Sequence, residues 1–257
     1  MDNILKIALI QPDIVWEDKD ANILKLRHLL AQIDKNTDLV LFPEMFLTGF
    51  SMRSAALAEE TNGLSGSFLQ EIARKNGYYA GGGWIEKNQA GLPFNAFSVY
   101  SPTGDIVTYR KNYPFSHAGE EKHYQRGDLC AILEIKGLRI MLSVCYDLRF
   151  PEFFRQNAGN VDAILVIANW PAVRINHWLA LLRARAIENQ CYVAGVNRVG
   201  TDGNGLVYNG FSSVFDPWGE GRMLGTEGEG VLHAEWSLQR VREIREKFPF
   251  LKDRFVT

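Results

Sequence analysis

Three short strand-like runs in this chain break off on a side chain that can do chemistry, and this recurrence constrains the fold more than any other feature. Leu39-Val40-Leu41-Phe42 leads through Pro43 to Glu44, Ile106 to Arg110 leads into Lys111, and Leu138 to Val144 leads into Cys145. The first and third runs show little polar alternation, so they suit strands covered on both faces. Open α/β layers gather ligand sites at the carboxyl ends of their strands. The chain is therefore expected to bury several strands under helices and to bring those ends together.

The intervening segments supply the cover. Ile4 to Ile10 reads as a first strand, followed by a helix capped by Asp20 with Ile23, Leu26, Leu30 and Ile33 on one face, and then by the strand Asp38 to Phe42. That is a βαβ unit, whose crossover is right-handed in nearly all folds. Glu44 to Gly66 reads as a long loop, a type that is often functional. A helix from Gly66 to Lys75 stops before Gly77, and Tyr78 to Ile85 resumes as a strand through Gly81-Gly82-Gly83. This triple glycine lacks the Lys-Ser/Thr of a phosphate loop and opens no helix, so close backbone packing is its expected role.

Asn95 to Tyr100 with Ile106 to Arg110, and Ala131 to Ile135 with Leu138 to Val144, read as hairpins; Asn112 to Asp128 between them is irregular. A short helix at Phe153 to Gln156, a strand at Ala163 to Ala168, a helix at Arg174 to Asn189 and a strand at Tyr192 to Val196 follow. Phe211 to Phe215 and Gly230 to Trp236 are the last strands, and Ser237 caps a final helix, Leu238 to Lys247, ahead of Pro249. About ten strands with four or five helices exceed one ordinary sheet, so two sheets packed face to face with helices outside are expected. With no internal linker, residues 1–257 read as a single domain.

A net charge of −2 gives no footprint for nucleic acid, the longest basic cluster being the pair Arg110-Lys111. No apolar run reaches the 18 or so residues needed to span a bilayer. Met1-Asp2-Asn3 ahead of a short strand does not resemble a leader, so a cytoplasmic address is the default expectation. Cys130, Cys145 and Cys191 form neither a disulfide framework nor a Cys-x-x-Cys metal site, which fits a reducing compartment. Cys130 and Cys191 each read as the structural opening of an apolar strand. No partners at helical spacing make His177 a metal ligand; it reads as structural or pocket-lining, and neither a metal nor a cofactor is expected.

A lone cysteine is most often a small buried hydrophobe. Cys145, however, sits where a strand turns toward the helix opened by Pro151-Glu152, and free N–H groups there lower a thiol's pKa and hold an oxyanion. A cysteine nucleophile also needs a base, and His28, His117, His123, His177 and His233 stand in no pattern typical of cysteine proteases. Glu44 and Lys111 remain as the other strand-end groups.

These three residues carry a resemblance. Glu44 within Phe-Pro-Glu-Met-Phe, Lys111 within Tyr-Arg-Lys, and Cys145 within Cys-Tyr-Asp-Leu-Arg-Phe-Pro-Glu resemble the Glu-Lys-Cys triad of the nitrilase superfamily of carbon–nitrogen hydrolases, across nearly the whole chain. Ala168-Asn169-Trp170-Pro171, Arg183 to Gln190 and Asn197-Arg198-Val199-Gly200 are similar to its ω-amidase branch, whereas Tyr146-Asp147 departs from the Cys-Trp-Glu of true nitrilases. The resemblance implies an α/β fold, a four-layer α-β-β-α sandwich with pseudo-symmetric halves, assembled into homodimers or larger homo-oligomers.

For the site, it implies Cys145 as nucleophile, Glu44 as proton acceptor and donor, and Lys111 with the Tyr146 N–H as oxyanion holders. It also implies a second glutamate, for which Glu120 is preferred over Glu121. Arg149, Arg174 and Arg198 are candidates to hold a substrate carboxylate by a fork of donors, and Tyr113, Phe46 and Trp170 are expected to line the pocket. The implied substrate is a small linear amide. An ω-amidase converting 2-oxoglutaramate or 2-oxosuccinamate to the dicarboxylic acid and ammonia through a thioester comes first, a hydrolase of an N-carbamoyl amino acid, a β-ureido acid or another linear amide second, and a non-catalytic binding protein last.

Overall fold

The computed structural model describes residues 4–224 and 228–254. Met1 to Asn3, which entered the reading of the amino terminus, lie outside them. β1 (Ile4–Gln11) shows why the first strand carries apolar residues on both faces around Lys6. Leu5, Ile7 and Leu9 point into the core between two sheets, while Ala8 and Ile10 meet the helices on the other side. β2 (Leu39–Leu41) repeats this, with Leu39 and Leu41 facing inward and Val40 outward. Each such side chain contributes roughly 1.5–3 kcal/mol on burial, which favours continuous apolar strands over alternating ones.

α1 (Lys19–Leu30) and α3 (Leu64–Asn76) cover the outer face, α1 through Leu26 and Leu29 and α3 through Phe68, Leu69 and Ile72. The α1 cap is Asp18, whose side chain accepts from the Ala21 N–H, and not Asp20, which lies in the first turn; Ile33 falls beyond the helix. The long loop holds a short helix, α2 (Ser54–Leu57). α3 begins two residues earlier than expected and ends on Gly77 at φ 75°, a left-handed cap that glycine adopts without strain.

The first sheet continues with β3 (Tyr79–Glu86), β4 (Phe94–Tyr100) and β5 (Ile106–Arg110), in the order β14-β1-β2-β3-β4-β5, with β14 (Gly230–Ser237) antiparallel to β1. The second has β6 (Ile132–Ile135), β7 (Leu138–Val144), β8 (Ala163–Ile167), β9 (Tyr192–Val196), β12 (Ser213–Phe215) and β13 (Gly221–Met223), in the order β13-β12-β9-β8-β7-β6. The two orders match strand for strand. In each, an antiparallel edge strand flanks three parallel strands, and an antiparallel hairpin closes the other side.

α5 (Ile175–Asn189) covers the outer face of the second sheet with Trp178, Leu182 and Ala186, giving the expected four-layer α-β-β-α sandwich. α6 (Leu238–Lys247) starts on Ser237, whose side chain accepts from the Arg240 N–H, as its sequence predicts.

Three short strands escaped the sequence reading. β10 (Val199–Thr201) pairs with β11 (Val207–Asn209) outside both sheets, and β13 extends the second sheet. Each has only three residues, too few for a period to register. Phe211, expected to open a strand, is held at φ 56° before β12. Cys191 is buried as expected, but Cys130 is exposed and lies ahead of β6.

Candidate active site

Glu44 reaches its place because the chain stays bonded to β3 after β2 ends. The Phe42 N–H donates to Gly81 O, the Gly83 N–H to Pro43 O and the Phe46 N–H to Gly83 O. The approach is so close that a Cβ on Gly83 would lie 2.6 Å from Glu44 Cα and 2.7 Å from Ile167 Cδ1 of the second sheet. Here the triple glycine has the backbone-packing role that its sequence context predicts.

The Glu44 carboxylate is fully buried. Oε1 accepts from Asn95 Nδ2 at 2.7 Å and from Lys111 Nζ at 3.1 Å, and Oε2 accepts from the Asn169 N–H at 2.8 Å. Lys111 follows β5 directly and is likewise buried; its Nζ also lies 2.8 Å from Glu120 Oε2. Glu120 is fixed in turn by Asn95 Nδ2 at 2.8 Å and by the Phe115 N–H. Between the two candidates for the second glutamate, the structure places Glu120 on Lys111 and leaves Glu121 exposed. Burial alone would lower the lysine pKa, but the Glu120 and Glu44 carboxylates outweigh it and hold the ammonium well above the ordinary value.

Cys145 follows β7 directly and opens a 3-10 turn, Cys145–Arg149, ahead of α4 (Pro151–Arg155). It sits at φ 46°, a left-handed conformation that costs a non-glycine residue about 1–3 kcal/mol and persists only where its surroundings hold it. The half-buried thiol donates weakly to Asn169 O at 3.9 Å.

One sequence expectation fails here. The thiol is held well above its ordinary pKa, because burial and the Glu44 carboxylate outweigh the Lys111 ammonium. The 3-10 turn that Cys145 opens stands between it and the start of α4. The resting group is the thiol, and a proton acceptor must act during attack.

Glu44, Lys111 and Cys145 share a cleft of about 310 Å³. Of the expected pocket residues, Tyr146, Arg149, Trp170 and Arg174 line it. The Arg149 guanidinium lies 4.9 Å from the Trp170 ring centroid with Nη2 3.3 Å from His177 Nδ1, and the Arg174 guanidinium lies 5.4 Å from the Phe115 ring.

Phe46 does not line the cleft. It is fully buried against Phe42 and Phe68 in the helix-side core, and Phe50 and Met52 of the same loop take the wall instead. Tyr113 is also displaced: its ring stacks on Phe150 at 3.9 Å, outside the cleft lining. Arg198 is buried behind the wall, donating to Val199 O and Ile14 O. Phe115, Asp202, Leu206 and Tyr208 line the cleft and carry no local signal, since they come from irregular segments and from the β10–β11 hairpin. Asn169 does carry one: it follows the apolar run of β8 as Glu44 follows β2. Among the described residues no cluster of three or more His, Cys, Asp or Glu side chains is arranged to hold a metal ion.

Comparison with known proteins bears on this site. The chain is 42% identical over 252 residues to omega-amidase YafV of Escherichia coli, covering 97% of this chain and 96% of that one. It is 32% identical to the 2-oxoglutaramate amidase of Bacillus subtilis, with 96% of each chain covered. The crystal structure of a CN-hydrolase superfamily protein from Xanthomonas campestris, which carries an arsenic adduct in its active site, superposes with a TM-score of 0.93 at 36% identity over 99% of both chains. Residues 6–246 match the carbon–nitrogen hydrolase family model, and the protein belongs to that family of hydrolases acting on non-peptide C–N bonds.

Proposed function

We propose that the protein is an ω-amidase that hydrolyses the terminal amide of a short 2-oxo acid, such as 2-oxoglutaramate or 2-oxosuccinamate, to the dicarboxylic acid and ammonia. One observation carries this reading. A thiol, a carboxylate and a buried ammonium share a cleft with Arg149 and Arg174, which rest on aromatic rings with no carboxylate partner among the described residues. That arrangement suits a substrate with an amide at one end and a carboxylate at the other. The likeness to omega-amidase YafV and to the 2-oxoglutaramate amidase agrees with it.

In this mechanism Cys145 Sγ attacks the amide carbon while its proton passes to Glu44. Lys111 Nζ and the Tyr146 N–H hold the oxyanion, Glu120 orients Lys111, and Glu44 returns the proton to departing ammonia. Water activated by Glu44 then cleaves the thioester. The two carboxylates on Lys111 make it a fixed cation rather than a proton donor, since its ammonium stays charged throughout the neutral range.

Ammonia release from 2-oxoglutaramate, from 2-oxosuccinamate and from carbamoyl-β-alanine tests the assignment. Preference for the first two supports it. Faster turnover of carbamoyl-β-alanine would move the protein to the N-carbamoyl and β-ureido acid hydrolases, and binding without turnover of any of the three would make it a binding protein. The protein is further proposed to act as a single domain in a homodimer or larger homo-oligomer, which sedimentation equilibrium would settle. Its three free cysteines suit the reducing cytoplasm.

A further inference from the structure

Asp147 stands two residues beyond Cys145, outside the Glu44–Lys111–Glu120 cluster, and is fully buried. Its Oδ2 accepts from the Val144 N–H at 2.8 Å and from the Tyr109 hydroxyl at 2.8 Å, and its Oδ1 accepts from the Tyr113 N–H at 3.0 Å. The Tyr109 hydroxyl accepts in turn from the Asn112 N–H at 3.1 Å. By chain position these donors form two groups: Val144 immediately precedes Cys145, while Tyr109, Asn112 and Tyr113 bracket Lys111. One carboxylate thus ties the end of β7, in the second sheet, to the end of β5, in the first.

Its partners are neutral dipoles. Burial pushes the Asp147 carboxyl up to about 7, against the pull of the Val144 N–H, the Lys111 ammonium and the Tyr109 hydroxyl. A side chain this costly to keep dry is a poor choice for filling space, which an apolar residue of similar size does without desolvation. The strained conformation of Cys145 needs neighbours that hold it, and Asp147 grips the N–H of the residue just before it.

We propose that Asp147 is a positioning residue of the reaction, its carboxylate holding the Cys145 turn and the Lys111 segment in one register so that Sγ and Nζ meet the same substrate carbonyl. This rests on the roles given above to Cys145 and Lys111. Because misplacing reacting groups by about 1 Å costs on the order of 10²-fold in rate, the effect belongs to acylation rather than to substrate binding. Asp147→Asn keeps the shape but replaces one acceptor oxygen by an NH2 group that must face a donor, either at Tyr113 or at the Val144 and Tyr109 pair. Tyr109→Phe removes one of the three donors and leaves the Asn112 N–H without its acceptor.

The experiment is rapid-quench mass spectrometry with 2-oxoglutaramate on the parent, D147N and Y109F. The acyl adduct on Cys145 counts competent sites and gives an acylation rate per site, with KM and the melting temperature recorded alongside. The expected result is a D147N acylation rate per site lower by about 10²-fold, a smaller loss in Y109F, and an unchanged KM for both, the signature of an interaction that matters in the transition state alone. A purely structural role would lower the melting temperature and the number of competent sites but leave the rate per site at the parent value, and that result overturns the proposal. If D147N does not fold, Y109F decides by the same criterion. If the parent forms no adduct on Cys145, the nucleophile assignment fails and this inference falls with it.

Discussion

The two halves of the molecule share a frame and divide the chemistry unequally. The run β1 to β5 matches β7, β8, β9, β12 and β13 in order and direction, and each half borrows an antiparallel edge strand, β14 or β6. Even the strand ends correspond: Glu44 follows β2, Asn169 follows β8, and the two grip each other, with Asn169 Nδ2 donating to Glu44 O at 2.6 Å. Yet the first half supplies every charge of the cluster, Glu44 and Lys111 with Glu120 beyond β5, whereas the second supplies a neutral thiol and an amide. The difference teaches that a symmetric fold gains an active site by making its equivalent strand ends unlike. A buried ammonium needs its carboxylates beside it, and a thiol becomes useful only where another layer brings it to them.

That division predicts different consequences for substitutions in the two halves. Cys145→Ala, in the second, is expected to lower turnover by at least ~10⁴-fold, as removal of a nucleophile does elsewhere, with stability changed by no more than about 1 kcal/mol for the loss of one sulfur. Ammonia release and denaturant midpoints check both, and residual turnover near the parent level would end the nucleophile assignment.

Lys111→Met, in the first half, is expected to remove activity and also to cost about 3–5 kcal/mol, because Glu44 and Glu120 lose the cation between them. If its unfolding midpoint matched that of Cys145→Ala, the contrast between the halves would collapse.

Glu44→Gln separates charge from proton transfer. Turnover should fall by ~10²–10⁴-fold for want of the acid–base group. Reaction of Cys145 with iodoacetamide near neutral pH should become faster, however. The Glu44 carboxylate raises the thiol pKa, so its removal lowers that pKa and increases the thiolate fraction at a given pH. Slower alkylation than in the parent would show that Glu44 does not oppose the thiolate. The smallest effect is expected at the contact between the halves: Gly83→Ala places a methyl group against Glu44 Cα and Ile167 Cδ1 and should cost about 1–3 kcal/mol by overpacking, readable as a shift in thermal midpoint.

Much of this was legible in the chain. The strands that end on Glu44, Lys111 and Cys145, the hairpins, the Ser237 cap and the close packing of Gly83 follow from apolar runs, turn residues and caps that act over a few positions. The α1 cap falls on Asp18 rather than on the expected Asp20, since both residues are suitable and two positions apart. Phe46 and Phe50 share a loop and a residue type, yet one enters the helix-side core and the other the cleft. Which way each ring turns is set by what the layers bring against it.

The two-sheet layering and the strand ends that carry Glu44, Lys111 and Cys145 are legible in the sequence, since a strand covered on both faces and the group at its end are local patterns, whereas the roles expected of those groups came from the family resemblance. What only the tertiary structure decided is the state and company of those groups. Burial and neighbouring charges hold Lys111 cationic and Cys145 protonated, Glu120 rather than Glu121 meets the lysine, and Asp147 joins two sheets. Desolvation and Coulomb interactions depend on distances between segments far apart in the chain, and those distances exist only once the two sheets have packed.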